Sequence, residues 1–381
     1  MIVEMKQVKK IKAYKTVSET ASLATPLITP YFKPRRLVSE INFHLKVAAL
    51  ACMAVSAGAA QAFEPVVQLS SLDGSTGFRL DGVSRSDKSG YSVSAAGDVN
   101  GDGIDDVLIG ATQTDFNGTN SGSTYVVFGS HSPFVSAIGL TSLNGSTGFR
   151  LDGANGREGV GQQVSAAGDV NGDGIDDLLI GAKTADFNGE INTGSTYVVF
   201  GRRSPEVFAS TIELSSLNGS TGFRLVGATE NDNSGRSVSA AGDVNGDGVD
   251  DLLIGAPYAD FNGEINTGFT YVVLGRPSPE VFASTIELSS LNGSTGFRLD
   301  GEAADGRSGR SVSAAGDVNG DGVDDLLIGA PYTDPNGDSS GSTYVVFGRP
   351  SPEVFASTID LASLNGSTGF RLDGVSSGDH S

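Results

Sequence analysis

The feature that most restricts the fold is a ten-residue phrase that returns at near-constant spacing. Gly97-Asp98-Val99-Asn100-Gly101-Asp102-Gly103-Ile104-Asp105-Asp106 recurs with its first aspartate at Asp169, Asp243 and Asp317, at intervals of 71, 74 and 74 residues. A second phrase, Gly-Phe-Arg-Leu, starts at Gly77, Gly148, Gly222, Gly296 and Gly369. Between the two stands Ser-Thr-Tyr-Val-Val-Phe-Gly at Ser123, Ser195 and Ser342, with a variant at Phe269. A fixed period of this length means that each unit is one module that buries its apolar faces on its neighbours.

Each unit carries four short runs rich in Val, Ile, Tyr and Phe, which in the first are residues 91–97, 106–111, 123–129 and 148–152. Clusters of Gly, Asn, Asp and Ser bound them, the pattern of strands joined by turns. The Val-Leu-Ile and Leu-Leu-Ile runs are continuously apolar, so that strand is expected to be buried on both faces. The 53 glycines suit a turn-rich chain, and no helical period stands out beyond the N-terminal segment. The expectation is an all-β protein, a β-propeller of four-stranded antiparallel blades with one unit per blade. The blades are placed at 91–153, 162–227, 236–301 and 310–374, with 70–83 as the edge strand of a further or closing blade. Four blades plus partial elements imply an incomplete or truncated ring, whose open edges would invite self-association.

Charge divides the chain. Residues 1–62 carry nine Lys/Arg against three Glu, whereas residues 63–381 carry 16 against 42 acids. Lys46, the apolar run from Val47 to Val55 and the small residues ending Ala60-Gln61-Ala62 form a signal-peptide pattern with cleavage after Ala62. The run is too short to span a bilayer. The reading is therefore an exported protein, secreted or on the cell surface, with no transmembrane span. Lipidation at Cys52 is an open alternative, since Leu50 lies two residues before the cysteine rather than three. A mature chain starting at Phe63 has no cysteine, so something other than disulfides must rigidify it. The acidic balance argues against nucleic acid as a partner.

Asp98, Asn100, Asp102 and Asp106 fall at positions 1, 3, 5 and 9 of one loop, with Gly103 at the sharp turn and the Ile104 carbonyl at position 7. Alternate oxygen donors around a glycine are what Ca²⁺ asks of a single segment. Position 12 is Ile109 where an EF-hand needs a glutamate, and a strand follows instead of a helix, so the loop reads as a metal-binding β-turn. Asp105 at position 8, repeated as Asp176, Asp250 and Asp324, is expected to point away or cap the turn rather than bind metal.

Phe-Arg-Leu-Asp-Gly, Ser-Val-Ser-Ala-Ala-Gly-Asp-Val-Asn-Gly-Asp-Gly and Asp-Leu-Leu-Ile-Gly-Ala-Pro together resemble the FG-GAP repeat family, the blades of the integrin α-subunit propeller and of many bacterial secreted proteins. The resemblance implies Ca²⁺ in the turn between the first and second strands of each blade, about four sites in all. Its ligand sets would be Asp98, Asn100, Asp102 and Asp106; Asp169, Asn171, Asp173 and Asp177; Asp243, Asn245, Asp247 and Asp251; and Asp317, Asn319, Asp321 and Asp325. The carbonyls of Ile104, Ile175, Val249 and Val323 would complete them. Propellers of this family usually have more blades than the four loops provide.

Three functions are compatible with such a chain. The first is an adhesion or ligand-binding module for an extracellular protein or glycan, with the 2–3 and 4–1 loops together on the end opposite the calcium turns. The 4–1 loops 83–90, 154–161, 228–235 and 302–309 diverge while the strands hardly change, and Tyr258 and Tyr332 are candidate contacts. The second is the propeller of a larger secreted hydrolase; the chain itself has only His131 and His380 beyond the leader, and no thiol there, so a nucleophile–histidine machine is not expected. The third is a structural surface protein.

Overall fold

The computed structural model describes residues 68–203, 206–351 and 353–381. The leader, its cleavage site after Ala62 and Cys52 lie outside the described residues.

Each repeat folds as an antiparallel meander. In blade 1, β2 (Ser89–Gly97), β3 (Asp106–Ala111), β4 (Ser123–Val127) and β6 (Gly148–Asp152) lie side by side. Blade 2 repeats this with β7 (Gln163–Gly168), β8 (Asp177–Ala182), β9 (Ser195–Val199) and β11 (Gly222–Val226). Blade 3 uses β12 (Ser237–Gly242), β13 (Asp251–Ala256), β14 (Phe269–Val273) and β16 (Gly296–Asp300). Blade 4 uses β17 (Ser311–Gly316), β18 (Asp325–Ala330), β19 (Ser342–Val346) and β21 (Gly369–Asp373). The third strand of blade 1 stops at Val127 rather than Gly129, because the Phe128 N–H turns to the Thr147 carbonyl at 3.2 Å.

The first three blades carry a fifth strand that the sequence reading did not foresee. β10 (Thr211–Glu213) runs parallel to β6, β15 (Thr285–Glu287) to β11, and β20 (Thr358–Asp360) to β16. Each belongs to the following repeat and so straps one blade to the next. Three residues show no period of their own, and only the neighbouring strand makes them a strand. β5 (Ala137–Gly139) pairs in the same way with β1 (Arg79–Asp81), which holds the fourth-strand phrase ahead of blade 1. Blade 4 has four strands, and among the described residues none of them pairs with blade 1 or with β1, so the ring is not closed.

The core lies between blades, which is why the central strands are apolar on both faces. Leu108, Val126, Phe149 and Leu151 of blade 1 pack on Val164, Ile180, Tyr197 and Val199 of blade 2, all buried. Blade 3 meets blade 2, and blade 4 meets blade 3, through the corresponding residues. At the rim the Phe of the fourth strand in blades 1 to 3 stacks on a Phe of the next blade: Phe149 on Phe208 at 4.2 Å, Phe223 on Phe282 at 4.3 Å, Phe297 on Phe355 at 4.1 Å. The repeated Asn-Gly-Ser-Thr turns beneath these rings close on the asparagine: the Asn144 side-chain oxygen accepts from the N–H groups of Ser146 and Thr147.

Candidate metal centres

The four acidic loops connect the first and second strands of the blades. Each begins where the first strand shifts register, at Gly97, Gly168, Gly242 and Gly316, all with φ near +70°. In blade 1 the N–H of Asp102 donates to the Oδ1 atoms of both Asp98 (3.0 Å) and Asn100 (2.9 Å). The N–H groups of Gly103 and Ile104 donate to Asp98 Oδ2 and Asp102 Oδ1. Positions 1, 3 and 5 are thereby gathered into one turn, and Asp169, Asn171 and Asp173, then Asp243, Asn245 and Asp247, repeat the same bonds. Asp317, Asn319 and Asp321 do so too, with one more bond from the Gly320 N–H to Asp317.

Position 9 is different in kind. Asp106, Asp177, Asp251 and Asp325 are buried below the turn. Each carboxylate receives one N–H from position 2 of its own loop and one from the glycine two residues after the third strand: Val99 and Gly129, Val170 and Gly201, Val244 and Gly275, Val318 and Gly348. Burial pushes the Asp106 carboxyl up to about 7, against those two N–H bonds and helped by the Asp102 and Asp98 charges. Asp177 and Asp251 are pushed well above the carboxylate range for the same reason.

The donor set of carboxylates, an amide oxygen and a backbone carbonyl fits a hard divalent cation such as Ca²⁺. Each carboxylate oxygen that accepts one N–H retains a lone pair for a metal. Among the described residues no three His, Cys, Asp or Glu side chains converge into a preformed cluster. The position-7 residues Ile175, Val249 and Val323 bury their side chains, leaving the carbonyl as the only donor there.

Position 8 turns out to join blades. Asp176 Oδ2 accepts the N–H of Asp98 in the preceding blade at 2.8 Å, Asp250 that of Asp169 at 2.8 Å, and Asp324 that of Asp243 at 3.0 Å. The N–H groups of Asp250 and Asp324 donate back to the Asp169 and Asp243 carbonyls. A Cβ on Gly97, Gly168 or Gly242 would collide with the carboxylate of Asp176, Asp250 or Asp324. The unvarying Gly-Asp pair beside an Asp at position 8 was the signal available in the sequence, but its partner lies 78–81 residues away.

The divergent 4–1 loops meet the 2–3 loops at the other end of the strands. Arg157 N–H donates to the Thr119 carbonyl, and the Asn192 and Asn266 side chains reach Asn231 and Asp305. Tyr258 and Tyr332 both stand there, with the Arg307 guanidinium 5.1 Å and 4.7 Å from their ring centroids. A cleft of about 560 Å³ opens on this face, lined by Lys88, Tyr91, Arg157, Lys183 and Asn192 among others.

The FG-GAP repeat model matches residues 89–127, 160–199, 234–273 and 308–346, the first three strands of every blade. The chain is 30% identical over 220 residues to integrin alpha pat-2 of Caenorhabditis elegans, a match covering 55% of this chain and 16% of that protein. It is 35% identical over 182 residues to integrin alpha-PS2 of Drosophila melanogaster, covering 46% and 12%. It is also 30% identical over 176 residues to phosphatidylinositol-glycan-specific phospholipase D of Bos taurus, covering 45% and 19%. The matched region is thus under a quarter of the length of these relatives. With four matched repeats folded as four consecutive blades, the chain is an FG-GAP repeat protein, similar to the integrin α chains.

Proposed function

We propose that this chain is an exported, calcium-stabilised propeller module that binds an extracellular protein or glycan, without chemistry of its own. The observation that carries the reading is the fourfold repetition of one oxygen-donor loop. Asp98, Asn100, Asp102, the Ile104 carbonyl and Asp106, with their counterparts in the other three blades, would hold the ions. Bound calcium would supply positive charge that offsets three aspartates per loop and cross-links the two strands each loop joins. The asparagine and aspartate at positions 3 and 5 would offer it an amide and a carboxylate oxygen, and the position-9 aspartate, held by backbone N–H donors, would offer a further carboxylate. Ligand contact is assigned to the opposite end, where the 4–1 and 2–3 loops differ from blade to blade on a constant scaffold.

Isothermal calorimetry on the purified chain tests the metal. Uptake of about four Ca²⁺ ions, reduced by one when Asp247 and Asp251 are both changed to Asn, supports the reading, and no heat at millimolar calcium refutes it. A screen against matrix proteins and glycans with and without chelator tests the ligand, calcium-dependent binding being the expected result. A second reading rests on the similarity to phosphatidylinositol-glycan-specific phospholipase D: the blades would then be the non-catalytic part of a larger hydrolase.

A further inference from the structure

The loop end of the blades carries cations without partners, in a chain whose residues 63–381 hold 16 Lys and Arg against 42 acids. The ion pairs of the described residues use Arg79, Arg150, Arg298 and Arg371. Arg157, Lys183, Arg236, Arg307 and Arg310 lie in or directly after the 4–1 and 2–3 loops, and none of them has a carboxylate at ion-pair distance among those residues. The acids nearby are turned to the loops themselves. Glu158 accepts the Ala154 N–H, and Asp186 and Asp260 accept those of Asn192 and Asn266. Lys183, Arg236, Arg307 and Arg310 are half-buried, and the Nε–H groups of Arg236 and Arg307 are enclosed without an acceptor. A cation held partly out of water and unpaired gains most from an incoming anion.

Backbone contacts fix these residues in one string. The Arg157 N–H donates to the Thr119 carbonyl at 2.8 Å, and the Arg157 carbonyl accepts the Thr184 hydroxyl at 2.9 Å. The adjacent Lys183 carbonyl accepts the Asn233 side-chain amide at 3.0 Å, and the Asn233 carbonyl accepts the Arg236 N–H at 3.2 Å. Every one of these contacts lies within or between blades 1 to 3. Burial and the neighbouring Arg236 and Arg310 charges hold the Lys183 ammonium below its ordinary value. Burial and the Arg310 charge act on Arg236 in the same direction.

The cleft of about 560 Å³ opens over this string, with Arg157 and Lys183 in its lining and Asp186 as the single acid there. Its volume is that of a small-ligand site. Gln113, Asn120, Gln162 and Asn192 line it as well, and amides both donate and accept, as sugar hydroxyls require. Tyr91 adds an aromatic ring to the wall, and Tyr258 and Tyr332 around Arg307 extend the same chemistry toward blades 3 and 4. A polyphosphate calls instead for a long basic track, which so acidic a chain does not offer.

Resting on the assignment of ligand contact to this end, we propose that the cleft binds an acidic glycan. Arg157, Lys183 and Arg236 take its carboxylate or sulfate groups, and the amides and tyrosines between them take its hydroxyls and ring faces.

Isothermal calorimetry on the full-length chain at fixed calcium tests this. The probes are a hyaluronan hexasaccharide for the carboxylate, a sulfated maltohexaose for the sulfate, maltohexaose as the neutral control and an oligothymidylate for a phosphate polymer. At least one acidic glycan binds, more weakly as salt is raised, and maltohexaose does not. The two acidic arms tell carboxylate from sulfate. Lys183→Gln combined with Arg236→Gln lowers the affinity by about tenfold or more and leaves the circular dichroism spectrum unchanged, since neither side chain loses a partner. Arg157→Gln, at an exposed side chain, weakens binding by a smaller factor and guards against a folding effect of the pair. Failure of both acidic glycans at millimolar concentration overturns the proposal, as does equal affinity for maltohexaose or the oligothymidylate, or a double variant that binds like wild type. A matrix protein or neutral glycan captured while both acidic glycans stay silent refutes this ligand class alone; silence of every ligand refutes the binding face with it.

Discussion

Gly242 and Gly316 occupy the same position of blades 3 and 4 with nearly the same backbone, φ +74° and +67°, but different neighbours. Replacing either by Ala places a side chain in the left-handed region, a cost of about 1 kcal/mol common to both. At Gly242 the new Cβ would also strike the Asp324 carboxylate and its Cγ and Cβ, so the whole side chain must withdraw from the Asp243 N–H. A hydrogen bond to a charged group contributes about 1.5–3 kcal/mol, so Gly242→Ala should destabilise by about 3 kcal/mol and Gly316→Ala by about 1. For a chain of this size the difference of about 2 kcal/mol corresponds to a Tm gap of about 5 °C. Thermal denaturation followed by circular dichroism, at fixed calcium, measures it. Equal Tm losses at the two glycines would refute the idea that the position-8 aspartates hold the blades together.

Asp232 in the 4–1 loop of blade 3 is buried, has one carboxylate oxygen without a partner, and is pushed up to about 7 by burial. The folded chain therefore holds this proton more tightly than the unfolded one. Its contribution to stability grows as pH falls from about 8 to below 4, by about 4 kcal/mol in all for a shift of about three units. Asp232→Asn should raise Tm relative to wild type at pH 8, with the gain shrinking as pH falls through 7 and vanishing only below about pH 4; a constant gain would contradict the assignment. Phe223→Ala removes a fully buried ring and its stack on Phe282, with an expected loss of about 3–5 kcal/mol measured by urea denaturation. A loss under 1 kcal/mol would show that the rim stacks are dispensable.

Much of this protein could be read along the chain. The four strands of a blade, the turns between them and the two-faced burial of Asp-Leu-Leu-Ile-Gly-Ala follow from local chemistry: β-branched and aromatic runs, glycines at positive φ, and apolar residues at successive positions. The grouping of Asp98, Asn100 and Asp102 was legible for the same reason, since the four bonds that gather them span five residues or fewer. The separate character of Asp106 was not, because its carboxylate is fixed in part by Gly129, 23 residues on.

What the sequence by itself determined is therefore the module: its period, its strands and its acidic turn. The tertiary structure decided how modules join. Asp176 and Asp98, Phe149 and Phe208, and β10 on β6 are pairs from successive repeats, and no local pattern distinguishes a residue that meets the next blade from one that meets water. The physical reason is that a blade buries both faces only against other blades. The same valine is core at Val170 and surface at Val318, and the difference lies wholly in what stands beside it.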